Sequence, residues 1–190
     1  MTFSLLAPSF LPASAVLEMT YECNHRCLFC SCPWEAKSGF IKREQLSKEE
    51  WKTVIKTVTD LGVSSISFTG GEPLLNEDIK DILKFAASLE CKMIETEDNI
   101  LVTKNQPLKI YLISNGSLVT DEILNICKEY NIHLSMSLPG LKTYFSHTDS
   151  GSPDKILQLF HKARSLGVHT TVNITVTKLN LFELYETVSN

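Results

Sequence analysis

The sequence predicts an α/β fold: a parallel sheet covered by helices and wound by right-handed crossovers toward a barrel or partial barrel. Three observations predict it. Strand-like and helix-like patterns alternate along the chain as five βα units. Turn signals rich in Gly, Pro and Asn close one strand after another. The composition, 43% hydrophobic and 21% charged in 190 residues, is that of a globular domain with a sizeable core.

The elements follow in order. Ala15 to Thr20 reads as a short strand entering a cysteine-rich loop. Ser47 and Glu50 form an S-x-x-E capping box, after which Trp51, Val54, Ile55, Val58 and Leu61 recur at helical spacing until Gly62. Ser64 to Thr69 is a second strand, running into Gly70-Gly71-Glu72-Pro73; Asn76 is placed to cap a helix carrying Ile79, Ile82, Leu83, Ala86 and Leu89. Lys109 to Ser114 is a third strand, with a helix from Asp121 whose apolar face is Ile123, Leu124, Cys127 and Tyr130. Ile132 to Leu138 is a fourth, followed by a helix starting at Ser152-Pro153. Val168 to Thr177 is the fifth, leading to a short helix around Phe182 to Val188. The stretch from Cys91 to Pro107 breaks the rhythm and reads as an insertion, with Glu95 to Asp98 a solvated acidic loop.

Eighteen basic against 22 acidic residues give a net charge of −4, which offers no general attraction to nucleic acid or an anionic membrane. No apolar run approaches the ~20 residues that span a bilayer. Residues 1–14 read as an extended leader: Ala13-Ser14-Ala15 resembles a cleavage site, but Arg26 is the first cation and Pro8 and Pro12 interrupt the apolar stretch, which argues against a signal peptide.

Four of the six cysteines, Cys23, Cys27, Cys30 and Cys32, crowd into ten residues. Disulfides in a secreted domain would be spread to close long loops, whereas a tight C-x3-C-x2-C cluster lets several thiolates reach one metal centre. Cys23, Cys27 and Cys30 are the candidate ligands of an iron–sulfur cluster. Phe29 inside the loop can screen it from water. Zinc on all four cysteines is the competing reading, but a zinc ribbon pairs two distant knuckles rather than wrapping one short loop around the ion. Cys91 and Cys127 read as small buried residues, and His25, His133, His147, His161 and His169 as structural or surface positions.

The joint occurrence, in order, of Cys23-x3-Cys27-x2-Cys30, Gly70-Gly71-Glu72-Pro73, Ser114-Asn115-Gly116 and Ser137-Leu138-Pro139-Gly140 after successive strands resembles the radical S-adenosylmethionine superfamily over about residues 15 to 180. The run Asn173 to Asn180 resembles the fifth strand of its peptide-modifying, SPASM-type members. The resemblance implies a partial (β/α)6 TIM-like barrel, a 4Fe-4S cluster with one open iron, and S-adenosylmethionine chelated there. It implies reductive cleavage to methionine and a 5′-deoxyadenosyl radical that abstracts hydrogen from a substrate, most simply a peptide or protein. An electron donor such as flavodoxin or ferredoxin and a reducing cytoplasm go with that chemistry.

Carried over residue by residue, Gly70 and Gly71 would let backbone approach the methionine amino group, Glu72 would accept a charge-assisted bond from it, and Pro73 would fix the loop's exit. Ser114 and Asn115 would line the cofactor site, Ser137 would meet the cofactor's carboxylate or ribose, and Asn173 is a further polar contact. Pro139 stands where Asp is common, so no contact of that carboxylate is expected. The family's barrel usually has six units; five are readable here, so the expectation is a core over residues 15–190 that lacks its C-terminal unit. An inactive fragment, a metal-stabilised module and a tRNA-modifying enzyme are the alternatives.

Overall fold

A computed structural model describes residues 13–31, 45–97 and 100–189. Five strands form one wholly parallel sheet: β1 (Ser14–Glu18), β2 (Ser65–Thr69), β5 (Lys109–Ser114), β6 (His133–Ser137) and β7 (Thr170–Asn173), in the order β1-β2-β5-β6-β7. Helices α1 (Lys48–Asp60), α2 (Ile79–Ala87), α3 (Asp121–Glu129), α4 (Tyr144–His147), α5 (Pro153–Leu166) and α6 (Leu184–Ser189) complete the units. Sequential neighbours in a parallel sheet require crossovers, which the amphipathic helices supply. None of these helices is long and apolar enough to cross a membrane.

The helix boundaries follow the local signals. Ser47 and Glu50 form the reciprocal capping box of α1, Thr120 caps α3 through Ile123 N–H, and Ser152 caps α5 ahead of Pro153. Each such cap contributes about 1 kcal/mol. Asn76 does not cap α2 as expected. Pro73–Leu75 forms a 3-10 turn that uses up those residues, so Asn76 instead accepts from Asp78 N–H at 3.0 Å and α2 begins after Asp78.

Alternation along each strand sends Ile66, Phe68, Ile110, Leu112, Leu134 and Met136 to the helix-covered side, where they pack in one core with Ile55, Ile82, Leu83 and Leu124. Burying each such side chain is worth roughly 1.5–3 kcal/mol. The opposite rows, including Ser67, Tyr111, His133, Ser135 and Thr171, remain at least partly exposed on the other face.

Two expectations need correcting. The insertion is a separate antiparallel hairpin, β3 (Glu90–Glu97) with β4 (Ile100–Pro107), so Glu95 to Glu97 are strand residues rather than a loop, and Asp98 lies outside the described residues. The last strand is four residues long because its partner β6 ends at Ser137, which pairs with Asn173. Beyond it the chain is held by side chains: Asn180 Nδ2 donates to Pro139 O at 2.6 Å and Thr175 O at 2.9 Å. The described residues begin within the expected leader, whose Ser14 already belongs to β1. Residues 1–12 and Cys32 lie outside the described residues.

Candidate cofactor site

At the C-terminal ends of the strands, one cavity is lined by Cys23, Cys27, Phe29, Cys30, Gly70, Gly71, Ser114, Asn115 and Ser137. Loops at this end of a parallel βα sheet converge because every strand points the same way. Of the other expected residues, Pro73 is buried at the start of the 3-10 turn and Asn173 is exposed at the end of β7.

Glu72 has a different place from the one expected. It is fully buried, and it caps the 3-10 turn rather than facing the cavity: Oε1 accepts from Leu74 N–H at 3.2 Å and Ser114 Oγ at 2.9 Å, and Oε2 from Asn115 N–H at 2.8 Å. Burial pushes its pKa up, against those three donors. The carboxylate thus ties the end of β2 to the end of β5.

The two glycines are also explained by protein rather than ligand. A Cβ on Gly70 would overlap the backbone of Thr20, and one on Gly71 the carbonyl of Glu22. Gly71 N–H donates to Thr20 O at 2.6 Å and Glu72 N–H to Glu22 O at 2.8 Å, so the glycine pair lies directly against the chain that leads into Cys23. Both glycines still line the cavity.

The cysteine loop is fastened from two further sides. Asn115 Nδ2 reaches Asn24 Oδ1 at 2.8 Å and Cys23 Sγ at 3.9 Å, while Asn24 Nδ2 donates to Ser117 Oγ at 2.8 Å. The segment around α4, silent in the sequence motifs, forms the other clamp. Cys27 and Thr148 make an antiparallel bridge, Leu28 N–H donates to His147 O at 2.7 Å, and Arg26 N–H donates to Asp149 Oδ1 at 2.9 Å. That amide holds the Asp149 carboxyl below its ordinary pKa. His147 is buried: Nδ1 meets Thr143 O and Nε2 meets Thr177 Oγ1, both at 2.8 Å, and its ring lies 5.9 Å from that of Phe29. His25 is buried in the loop against Gly151, and burial lowers its pKa. His25, Thr69, Ile113, Pro139, Tyr144 and Thr148 complete the cavity wall.

Burial is the main cause that raises the Cys23 and Cys27 pKa values, and the positive charge of bound iron would favour their thiolates. Cys30 is exposed. Among the described residues no three His, Cys, Asp or Glu side chains converge as on a single metal ion. A four-iron cluster gives each thiolate its own iron, so sulfurs distributed around one wall suit it.

A family model for the radical SAM superfamily matches residues 17–189. The chain belongs to that superfamily. It is 27% identical over 179 residues to the PqqA peptide cyclase of Bradyrhizobium diazoefficiens, covering 92% of this chain and 42% of that protein. It is 30% identical over 157 residues to the GTP 3′,8-cyclase of Clostridium botulinum, covering 80% of this chain and 43% of that protein. Streptococcus suis SuiB bound to S-adenosylmethionine shares the fold, with a TM-score of 0.75 at 22% identity over 94% of this chain and 37% of that one. SuiB has also been solved with the precursor peptide SuiA, at the same TM-score. The chain spans about two-fifths of the length of these relatives. Radical SAM proteins use a 4Fe-4S cluster and S-adenosylmethionine, and the residues around this cavity fit that pair: three thiols, amide donors to sulfur, and the buried Thr148 hydroxyl, which has no partner at hydrogen-bond geometry.

Proposed function

We propose that residues 15–190, together with Ser14 at the start of β1, are the radical-generating core of an enzyme that acts on a peptide or protein, preceded by a leader. In this reading Cys23, Cys27 and Cys30 hold the 4Fe-4S cluster and the cavity they line receives S-adenosylmethionine. The observation that carries it is that one wall combines these three thiols with the ends of β2, β5 and β6. The cluster, when bound, supplies the electron that splits the sulfonium into methionine and a 5′-deoxyadenosyl radical.

The protein's part is to position and exclude. Phe29 and Tyr144 narrow the access of water to the loop. The Gly70-Gly71 backbone and the Asn115 and Ser137 side chains offer polar groups to the cofactor, Ser114 lines the cavity with its hydroxyl committed to Glu72 and Gly116, and Asn173 sits beside Ser137. Glu72 and Pro73 hold the wall in shape from behind it. Flavodoxin or ferredoxin would supply the electron, and ligand thiols that must stay reduced fit a cytoplasmic setting.

A peptide is favoured over a nucleotide by the inward rows of the sheet. Apart from Lys109 at the start of β5, these rows carry hydroxyls, Tyr111, His133, Asn173, the apolar Val16 and Ile113 and the acidic Glu18, with no further cation to meet a triphosphate. The named activity of the PqqA peptide cyclase and the SuiA peptide on SuiB point the same way.

Anaerobic reconstitution with iron and sulfide, then S-adenosylmethionine and reductant, is expected to yield 5′-deoxyadenosine, and Cys27→Ala to abolish it. Four irons bound without cleavage would leave an inactive module. Stoichiometric zinc without iron uptake would overturn the cluster assignment.

A further inference from the structure

We infer that Thr148 is a positioning residue for the cluster: its hydroxyl donates a hydrogen bond to the Cys27 sulfur and makes the cluster easier to reduce. The inference rests on the reading of Cys23, Cys27 and Cys30 as ligands.

Thr148 is 5% exposed, and its Oγ1 is buried with no partner at hydrogen-bond geometry. A buried hydroxyl left without a partner destabilises the fold unless something is bound there to receive it. The residue nevertheless lines the cavity with all three thiols and is the antiparallel bridge partner of Cys27. The approach is enforced by backbone, since Cys27 and Thr148 are bridged and Leu28 N–H is held by His147 O. Neighbouring polar side chains of the clamp are committed elsewhere: the Thr143 hydroxyl to Glu183, and Thr177 to His147 and Asn180. The Thr148 hydroxyl is therefore the polar group of the clamp left to turn to the Cys27 sulfur, whereas Cys23 already receives His25 N–H at 3.4 Å and Asn115 Nδ2 at 3.9 Å.

A thiol is a poor acceptor, and a thiolate on iron is a good one. Reduction adds negative charge that spreads onto the ligand sulfurs, so a donor there stabilises the reduced cluster more than the oxidised one and raises its potential. Valine has nearly the shape of threonine and lacks the donor; serine keeps the donor and loses the methyl group.

The test uses the reconstituted full chain, with iron content, the midpoint potential from redox titration followed by electron paramagnetic resonance, and proton couplings of the reduced cluster before and after exchange into deuterium oxide. Thr148→Val is expected to bind four irons at a lower midpoint and to lose one exchangeable coupling; Thr148→Ser is expected to keep both at the wild-type value. An unchanged midpoint in Thr148→Val with full iron content overturns the inference, as does a Thr148→Ser shift as large as that of Val. Should Thr148→Val take up no iron, Thr148→Ala is read against Ser by the same two criteria. Failure of the wild type itself to take up iron overturns the cluster assignment, and this inference with it.

Discussion

The Ser114 hydroxyl donates to Glu72 Oε1 at 2.9 Å, inside the protein and not across the cofactor cavity. Two residues that belong to different motifs are thereby one structural unit. Glu72→Gln keeps the volume but turns one acceptor into a donor facing either Asn115 N–H or Ser114 Oγ. A loss of about 1–3 kcal/mol is expected in urea unfolding, with Ser114→Ala costing less because it leaves two of the three donors in place.

Gly71→Ala brings a methyl group into the carbonyl of Glu22, a backbone atom that cannot rotate away. The cost expected is about 1–3 kcal/mol of stability, and the displaced chain is the one leading into Cys23. Iron bound per chain after reconstitution should fall in parallel with the unfolding midpoint. A variant of full stability and full iron content would show that the loop tolerates the shift.

The cysteines should separate by reactivity in the metal-free protein. Burial pushes the Cys127 thiol up to about 12, so at pH 8 only about one molecule in ten thousand carries the thiolate there. Cys30 is exposed. Brief alkylation followed by peptide mass spectrometry should label Cys30 first and Cys127 only after denaturation.

Glu183 gives a pH signature. Burial pushes its carboxyl up, but the Thr143 hydroxyl and the Lys142 and Thr143 amides outweigh it and hold the pKa below the ordinary 4.5. A carboxyl depressed on folding contributes stability that is complete above the unfolded pKa and is lost as pH falls through the folded value. Unfolding free energy should therefore decline below about pH 4.5, and Glu183→Gln should flatten that limb while lowering stability at neutral pH. Equal slopes in both proteins would remove Glu183 from the cause.

Local rules made most of this architecture readable. The strand and helix order follows from period and caps, and the ligand loop from cysteine spacing, because both are determined by residues close in sequence. The hairpin from Glu90 to Pro107 escaped because the sequence between its two strands, Asp98-Asn99, lacks the Gly of the strongest two-residue turn signals. At the site, the motif residues Cys23, Cys27, Cys30, Gly70, Gly71, Ser114, Asn115 and Ser137 line one cavity, but what their side chains and backbone touch in the folded chain could not be read from residue identity. Gly70, Gly71 and Glu72 carry a motif suited to a ligand, yet their nearest contacts are Thr20, Glu22, Leu74, Ser114 and Asn115. Nothing local marks Thr148, and His147 reads only as a structural or surface position; both matter through pairing with a loop more than a hundred residues earlier, a separation of 123 for Arg26 and Asp149.

That separation orders events during synthesis. The cysteines emerge from the ribosome early, but the antiparallel bridge between Cys27 and Thr148 needs the chain through Asp149, with β6 in place to present it. Closing so long a span is entropically expensive and follows the local helices and strands. The thiols therefore emerge early, and the loop that carries them gains its second clamp only once the chain through Asp149 has followed.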